Sequence, residues 1–158
     1  MTKAGQKPGV REEVKLITKN RKAYFNYLVE EDLEVGIVLR GTEVKALREG
    51  KVQILDAYAM VEKGQVFLYQ LHISEYAQGN IYNHSPMATR KLLLHKREIE
   101  RLEWKVQEKG YTLIPLELYF LRGRAKIKLG LCKGKHSYDK REAVKERDQR
   151  RELRERDT

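Results

Sequence analysis

The sequence predicts a mainly β fold: a small antiparallel barrel with peripheral α-helices and highly charged ends. Short apolar runs recur at close spacing and are separated by turn dipeptides such as Lys63-Gly64 and Arg122-Gly123. Arg124 to Cys132 alternates cleanly, with Ala125, Ile127, Leu129 and Leu131 on one face and Arg124, Lys126 and Lys128 on the other. Helical spacing is confined to two stretches, one after Gly41 and one before Gly110.

Taken in order, Tyr24 to Leu39 is rich in Tyr, Phe, Leu, Val and Ile and is interrupted by Glu30-Glu31-Asp32. It reads as strand, acidic turn or bulge, strand, with Gly36 marking a bend or a close backbone approach. Gly41-Thr42 opens a short helix in which Thr42 is the expected N-cap, Val44 and Leu47 share a face, and Gly50 follows the last turn. Residues 52–61 and 65–73 flank Lys63-Gly64 as a β-hairpin. Residues 76–89 are polar, broken by Gly and Pro, and read as a loop.

Arg90 to Gly110 contains the strongest helix, with Ile99, Leu102 and Val106 at i, i+3, i+7. Tyr111 to Tyr119 is a strand whose Pro115 requires an edge or a bulge. Six or so strands with two inserted helices fit a closed barrel of the OB type or an α+β sandwich. OB barrels commonly bind nucleic acid, although a fold does not by itself assign a function.

Charge sharpens the reading. The 158 residues carry a net charge of +10, and 35% of them are charged. That balance favours a polyanionic partner, nucleic acid ahead of an anionic membrane. The charge is concentrated at the ends. Residues 1–22 hold seven Lys/Arg against two Glu, and residues 133–158 hold ten against seven acids. The stretch 23–132 holds sixteen against fourteen. Both ends lack the apolar residues needed to offset ordering entropy. The expected organisation is a basic arm (1–22), a folded core (23–132) and a basic tail (133–158) that is disordered alone.

Chemistry of the catalytic kind is not visible. His72, His84, His95 and His136 show no metal-ligand spacing, and no P-loop, dinucleotide fingerprint or nucleophile elbow occurs. Cys132, the only cysteine, reads as a small core residue rather than a nucleophile. The acidic Glu30–Glu34 run reads as a solvated turn in preference to a cation site. No enzyme, cofactor or metal is expected. A lone cysteine, no secretory leader and no apolar run of membrane length imply a cytoplasmic protein.

What remains is a set of basic words, Asn20-Arg21-Lys22, Arg90-Lys91, Arg124-x-Lys126-x-Lys128 and Lys133-x-Lys135, interleaved with Tyr24, Phe25, Tyr76, Tyr82, Tyr119 and Tyr138. Cations would position a phosphate backbone and exposed rings would stack bases, each worth ~1–3 kcal/mol. For most of the tyrosines, core packing is the preferred reading.

Several of these words occur together in a known family. Asn20 to Tyr24, Leu33 to Arg48 with its Gly41-Thr42-Glu43-Val44-Lys45, Arg90 to Leu94, and Gly134-Lys135 through Asp139-Lys140-Arg141 resemble the SsrA-binding protein family. This is small protein B, the partner of transfer-messenger RNA. The resemblance runs through nearly the whole chain. It implies an OB-like barrel, acting as a monomer, that binds the tRNA-like domain of that RNA and delivers it to stalled ribosomes. It implies that Asn20, Glu34 and Leu93 match core positions important for RNA binding; the basic residues Arg21, Lys22, Lys45, Arg90, Lys91, Lys126 and Lys128 complete the candidate RNA-binding set on their charge.

Glu34 would order a neighbouring group or accept hydrogen bonds from base edges, since a carboxylate repels phosphate. Leu93 is either an apolar RNA contact or a core leucine. The tail, with Lys133, Gly134, Lys135, Tyr138, Asp139, Lys140 and Arg141, would enter the decoding site and mRNA channel in place of an anticodon arm. His136 departs from the family, which often has a second lysine there. Two other classes stand beside this reading: a structural ribosomal protein with a basic tail, and an RNA-processing enzyme.

Overall fold

The computed structural model describes residues 13–135 and 147–151. The chain begins with β1 (Val14–Lys19), the short helix α1 (Arg21–Asn26) and the long strand β2 (Tyr27–Ile37). Helix α2 (Gly41–Arg48) follows, then β3 (Val52–Gln53), β4 (Tyr58–Glu62), β5 (Gln65–Tyr69) and β6 (His72–Ile73). After a loop containing a 3-10 turn (Asn80–Tyr82) come β7 (Arg90–Leu93), α3 (Lys96–Lys109), β8 (Thr112–Leu121) and β9 (Arg124–Gly134).

All strand pairs are antiparallel. The main sheet runs β1-β8-β4-β5-β7-β2-β9, and β9 pairs back onto β8 along nearly its whole length. Six strands therefore close into a ring, with β1 attached to the C-terminal half of β8. Closure removes the exposed edges that an open sheet would present. The expected OB-like barrel with peripheral helices is the architecture observed.

The turns follow directly from residue type. Lys63 and Gly64 have φ of 49° and 73°, and Arg122 and Gly123 have φ of 50° and 78°. Two consecutive positive φ values make the tight hairpin turn that matches strand twist. Inside, Leu68, Leu92, Leu113, Leu118, Ile127 and Leu129 are fully buried, and α2 and α3 add Leu47 and Leu102 to the same core.

Several elements differ from the sequence reading for physical reasons. Residues 21–26, assigned to the arm and to the start of a strand, form α1. The Asn20 side chain caps it, accepting from Ala23 N at 3.0 Å. β1 lies within the expected arm and is zipped to β8, so the folded unit starts earlier than residue 23. Of the turn and the bulge expected at Glu30-Glu31-Asp32, the bulge is the one present, between Val29 and Glu31, and β2 runs on through it as one strand. The acids are accommodated because partners meet them: Lys105 donates to Glu31 at 2.9 Å, Arg101 pairs with the same carboxylate, and Lys128 lies 3.7 Å from Asp32.

Thr42 sits inside α2, one residue beyond Gly41, and it is Arg40 N that Glu43 caps, at 2.9 Å. The expected 52–73 hairpin is present but interrupted: β4 pairs with β5 beside the Lys63-Gly64 turn, and beyond the gap its two ends pair again as β3 with β6. Arg90–Leu93 is a strand, with Arg90 and Leu92 buried and Lys91 and Leu93 exposed; the helix begins only at Lys96. Pro115 agrees with its reading: of the edge or bulge it requires, the bulge is observed, in an interior strand.

One polar cluster is deeply buried. Arg90, 3% exposed, forms an ion pair with Glu43 and also donates to the carbonyls of Leu71 and Pro86. Glu43 uses its second oxygen on Arg40 N. Beside it, His84 bridges the Thr42 hydroxyl and Ile73 O, each at 2.9 Å. Arg90→Ala would leave a buried carboxylate uncompensated, a loss of about 3–5 kcal/mol. Urea denaturation of the variant is expected to show it, whereas a loss under 1 kcal/mol would contradict the burial of the pair.

Candidate nucleic-acid interface

The pairing registers bring distant residues into rows across the outer face of the barrel. Leu16 on β1 pairs with Tyr119 on β8, Tyr119 with Lys126 on β9, Lys126 with Gly36 on β2, and Gly36 with Leu93 on β7. The next row reads Lys19, Glu117, Lys128, Glu34 across β1, β8, β9 and β2. Leu118, Ile127, Val35 and Leu92 point into the core, so by strand alternation their neighbours point out.

Gly36 shapes the first row. A Cβ there would approach Leu93 Cβ at 3.2 Å and Cδ1 at 3.3 Å, so the bare backbone makes room for the leucine. Leu93 is 52% exposed and is a surface residue, not a core one. Together with Ala125, Lys126 and Arg124 it lines a shallow cleft. The Tyr119 hydroxyl donates to Glu34 Oε1. Burial and that hydrogen bond raise the Tyr119 pKa well above the ordinary phenol range. Glu34 thus holds a neutral ring at the surface, consistent with its expected ordering role.

The edge of the face is set by α1. Ala23 packs on Ile114, Leu116 and Cys132, with Tyr24 and Tyr27 alongside. A Cβ on Gly130 would lie 2.7 Å from Leu116 Cδ1, so this packing needs a glycine. Burial pushes the Cys132 thiol up to about 11, which fits a core residue and not a nucleophile. The Lys19 ammonium sits 4.9 Å from the Tyr24 ring centre.

The expected contact residues divide sharply. Glu34, Leu93, Lys126 and Lys128 share the outer face, and Arg21 and Lys22 are exposed on α1 beside it, with Lys22 2.9 Å from Asp56. Lys91 is exposed on β7. Lys45 is exposed on α2, its ammonium 5.4 Å from the Tyr76 ring centre, outside the rows.

Two expectations need correction. Arg90 cannot offer its guanidinium to a phosphate, because four internal groups already take it. Asn20 is fully buried; it donates to Pro115 O at 3.0 Å and Ile54 O at 3.3 Å besides capping α1. It locks α1 onto β8 and has no exposed surface for RNA.

Of the tail residues, Lys133 and Gly134 continue β9 opposite Leu28 and Tyr27, and Lys135 N bonds Asn26 O at 2.9 Å. Tyr138, Asp139, Lys140 and Arg141 lie outside the described residues. In the sequence Tyr119 is only one aromatic among six interleaved with the basic words. Its place in the row depends on register, which no local signal encodes.

A barrel face that alternates cations with carboxylate-ordered tyrosine and exposed leucine has the chemistry of a nucleic-acid-binding barrel. Among the described residues, no group of three His, Cys, Asp or Glu side chains is placed to hold a metal. No helix is long and apolar enough to cross a membrane among them.

Comparison with known proteins gives the family. The model of the SmpB protein family matches residues 17–157, and the chain belongs to that family. It is 56% identical to the SsrA-binding protein of Desulfitobacterium hafniense (strain DSM 10664 / DCB-2) over 142 residues, 90% of this chain and 91% of that one. It is 57% identical to the SsrA-binding protein of Geobacillus sp. (strain WCH70), over 89% of this chain and 91% of that one. A solved chain described as "tmRNA-SmpB: a journey to the center of the bacterial ribosome" aligns with a TM-score of 0.64 and 47% identity. The alignment covers 80% of this chain and 93% of that chain.

The Tyr119–Glu34 pair is open to direct measurement. The carboxylate accepts from the neutral phenol and repels a phenolate, so Glu34→Gln should lower the pKa of Tyr119. In a spectrophotometric alkaline titration Tyr24, Tyr69 and Tyr111 also ionise late, and only the last of the late-ionising tyrosines, Tyr119, is expected to shift to lower pH in the variant. An unchanged titration would show that Glu34 does not govern the ring.

Proposed function

We propose that this chain binds the tRNA-like domain of transfer-messenger RNA and brings it to stalled bacterial ribosomes in the cytoplasm. It acts as a monomeric binding protein and not as an enzyme. The observation that carries the reading is the row Tyr119–Lys126–Gly36–Leu93: a basic, aromatic and apolar strip assembled by register on a rigid barrel in a member of the SmpB family.

Lys126 and Lys128, with Arg21, Lys22 and Lys91, neutralise phosphate. Tyr119 and Leu93 offer flat and apolar surface to unstacked bases. Glu34 orients Tyr119, and Asn20 and Arg90 serve indirectly by fixing α1 and β7. Lys45 lies beyond the rows, as a peripheral cation. The segment from Lys133 onward supplies the ribosomal contacts, with Gly134 and Lys135 at its root and Tyr138, Asp139, Lys140 and Arg141 reaching the decoding centre and mRNA channel.

A salt series tests the core. Binding of the purified protein to a tRNA-like RNA transcript should weaken linearly in log–log form as salt rises. Replacing Lys126 and Lys128 together by Ala should reduce the slope by roughly 1–2 and weaken binding at every salt concentration. An unaltered slope would move the RNA to another face.

The tail separates from the core in a second test. Because β9 runs through Gly134, the deletion should begin at residue 136. Removal of 136–158 is expected to keep RNA affinity within about threefold of wild type, well inside the 1.4 kcal/mol that makes a tenfold change, while abolishing peptide tagging on stalled ribosomes. Tyr138→Ala should resemble the deletion in the tagging assay. Full tagging by that variant would remove the stacking role from Tyr138.

A further inference from the structure

A second, larger cleft lies next to the strip and is unused by the reading above. It holds about 530 Å³, within the roughly 300–1,000 Å³ range of small-ligand sites. Val38, Phe67 and Ala88 contribute apolar walls, and Arg40 and Lys91 are exposed cations on its lining. Val38 is 50% exposed although it lies directly after the buried end of β2.

The deep polar groups offer no unspent charge. Glu43 is neutralised by Arg90, and both ring nitrogens of His84 are occupied by Thr42 and Ile73 O. Such a site cannot prefer a small ion at depth. It suits an apolar, flat group that carries its negative charge at the mouth.

We infer that this cleft is a nucleotide subsite: one splayed-out base of the bound RNA lies against Val38, Phe67 and the aliphatic stem of Lys91, which stands between them in the same cross-strand row, and its flanking phosphates meet the Lys91 ammonium and Arg40. This rests on the RNA-binding reading and extends it. Two features connect the cleft to the strip. Leu39 lines both this cleft and the one that contains Leu93 and Lys126. Lys91 and Leu93 point outward from the same strand, two residues apart. An RNA strand that crosses Leu93 therefore passes the mouth of the cleft, and the cationic rim selects a nucleic acid over an apolar peptide.

The test uses the full chain and a tRNA-like RNA transcript at one fixed salt concentration. Val38→Glu places a carboxylate in the mouth and is expected to weaken binding roughly tenfold or more, the order of one lost base stack with added repulsion. Val38→Thr keeps the shape and should stay within about threefold, as the loss of a single apolar contact predicts. In the wild type, the methyl NMR signals of Val38 and Ala88 should move when RNA is added, a readout that does not depend on any variant folding.

The inference falls if Val38→Glu binds like wild type while Leu93→Ala weakens binding, an outcome that leaves the RNA-binding reading standing. It falls equally if Val38→Glu and Val38→Thr weaken binding alike, or if the methyl signals stay still. Failure of the wild-type protein to bind the transcript would remove the broader reading together with this one.

Discussion

The buried Glu43–Arg90 ion pair is the interaction on which the rest of the structure leans. Its two partners come from α2 and β7, 47 residues apart in sequence. Burying two charges is costly unless each remaining donor and acceptor is used. Here each side-chain nitrogen and oxygen has a partner: Glu43 turns back to Arg40 N, and Arg90 fans out to the carbonyls of Leu71, Ser85 and Pro86. A guanidinium suits the task because its planar fork can serve several acceptors at once, which an ammonium does with less geometric definition. The pair fastens a helix, a strand and a loop to one another. The outward positions of β7 inherit that rigidity, so Lys91 and Leu93 are presented on a fixed backbone.

The outer face also shows why net charge is a poor guide to a binding surface. Across β1, β8, β9 and β2 the charges run Lys19, Glu117, Lys128, Glu34, cation alternating with carboxylate. Asp32 adds a further acid to this face, 3.7 Å from Lys128, whereas Glu31 lies on the other side of β2, held below the ordinary carboxylate range by hydrogen bonds from Lys105 and Arg101 of α3. A uniformly basic face would attract any polyanion. A patterned one trades part of that attraction for discrimination, since a wrongly placed phosphate meets a carboxylate.

Much of the fold was legible from local residue chemistry, and much of the site was not. The positive-φ pairs at Lys63-Gly64 and Arg122-Gly123, the helix-ending Gly50 and Gly110, and the alternation of β9 are dictated by neighbours in sequence. The placement of Arg90 is not. An arginine in a basic word reads as a surface cation until a carboxylate 47 positions away is folded over it. Asn20 misled for the same reason: its partners, Pro115 O and Ile54 O, belong to elements that meet only in the closed barrel. Leu93 could be read either way because alternation along a four-residue strand inside a helical-looking stretch gives too little period to assign. Gly36 reads from sequence as a bend or a close approach, but its visitor, Leu93, is defined only by the register of β2 on β7.

Cys132 carries a consequence of its own. Its thiol lies against Ala23 and Leu116, and burial keeps it almost wholly protonated near neutral pH. Alkylating reagents attack the thiolate, so the sulfur is silent while Ala23, Ile114 and Leu116 cover it and reacts only through an opening that exposes it. The molecule thus carries a single-site clock, whose labelling rate reads the free energy of whatever opening uncovers that sulfur.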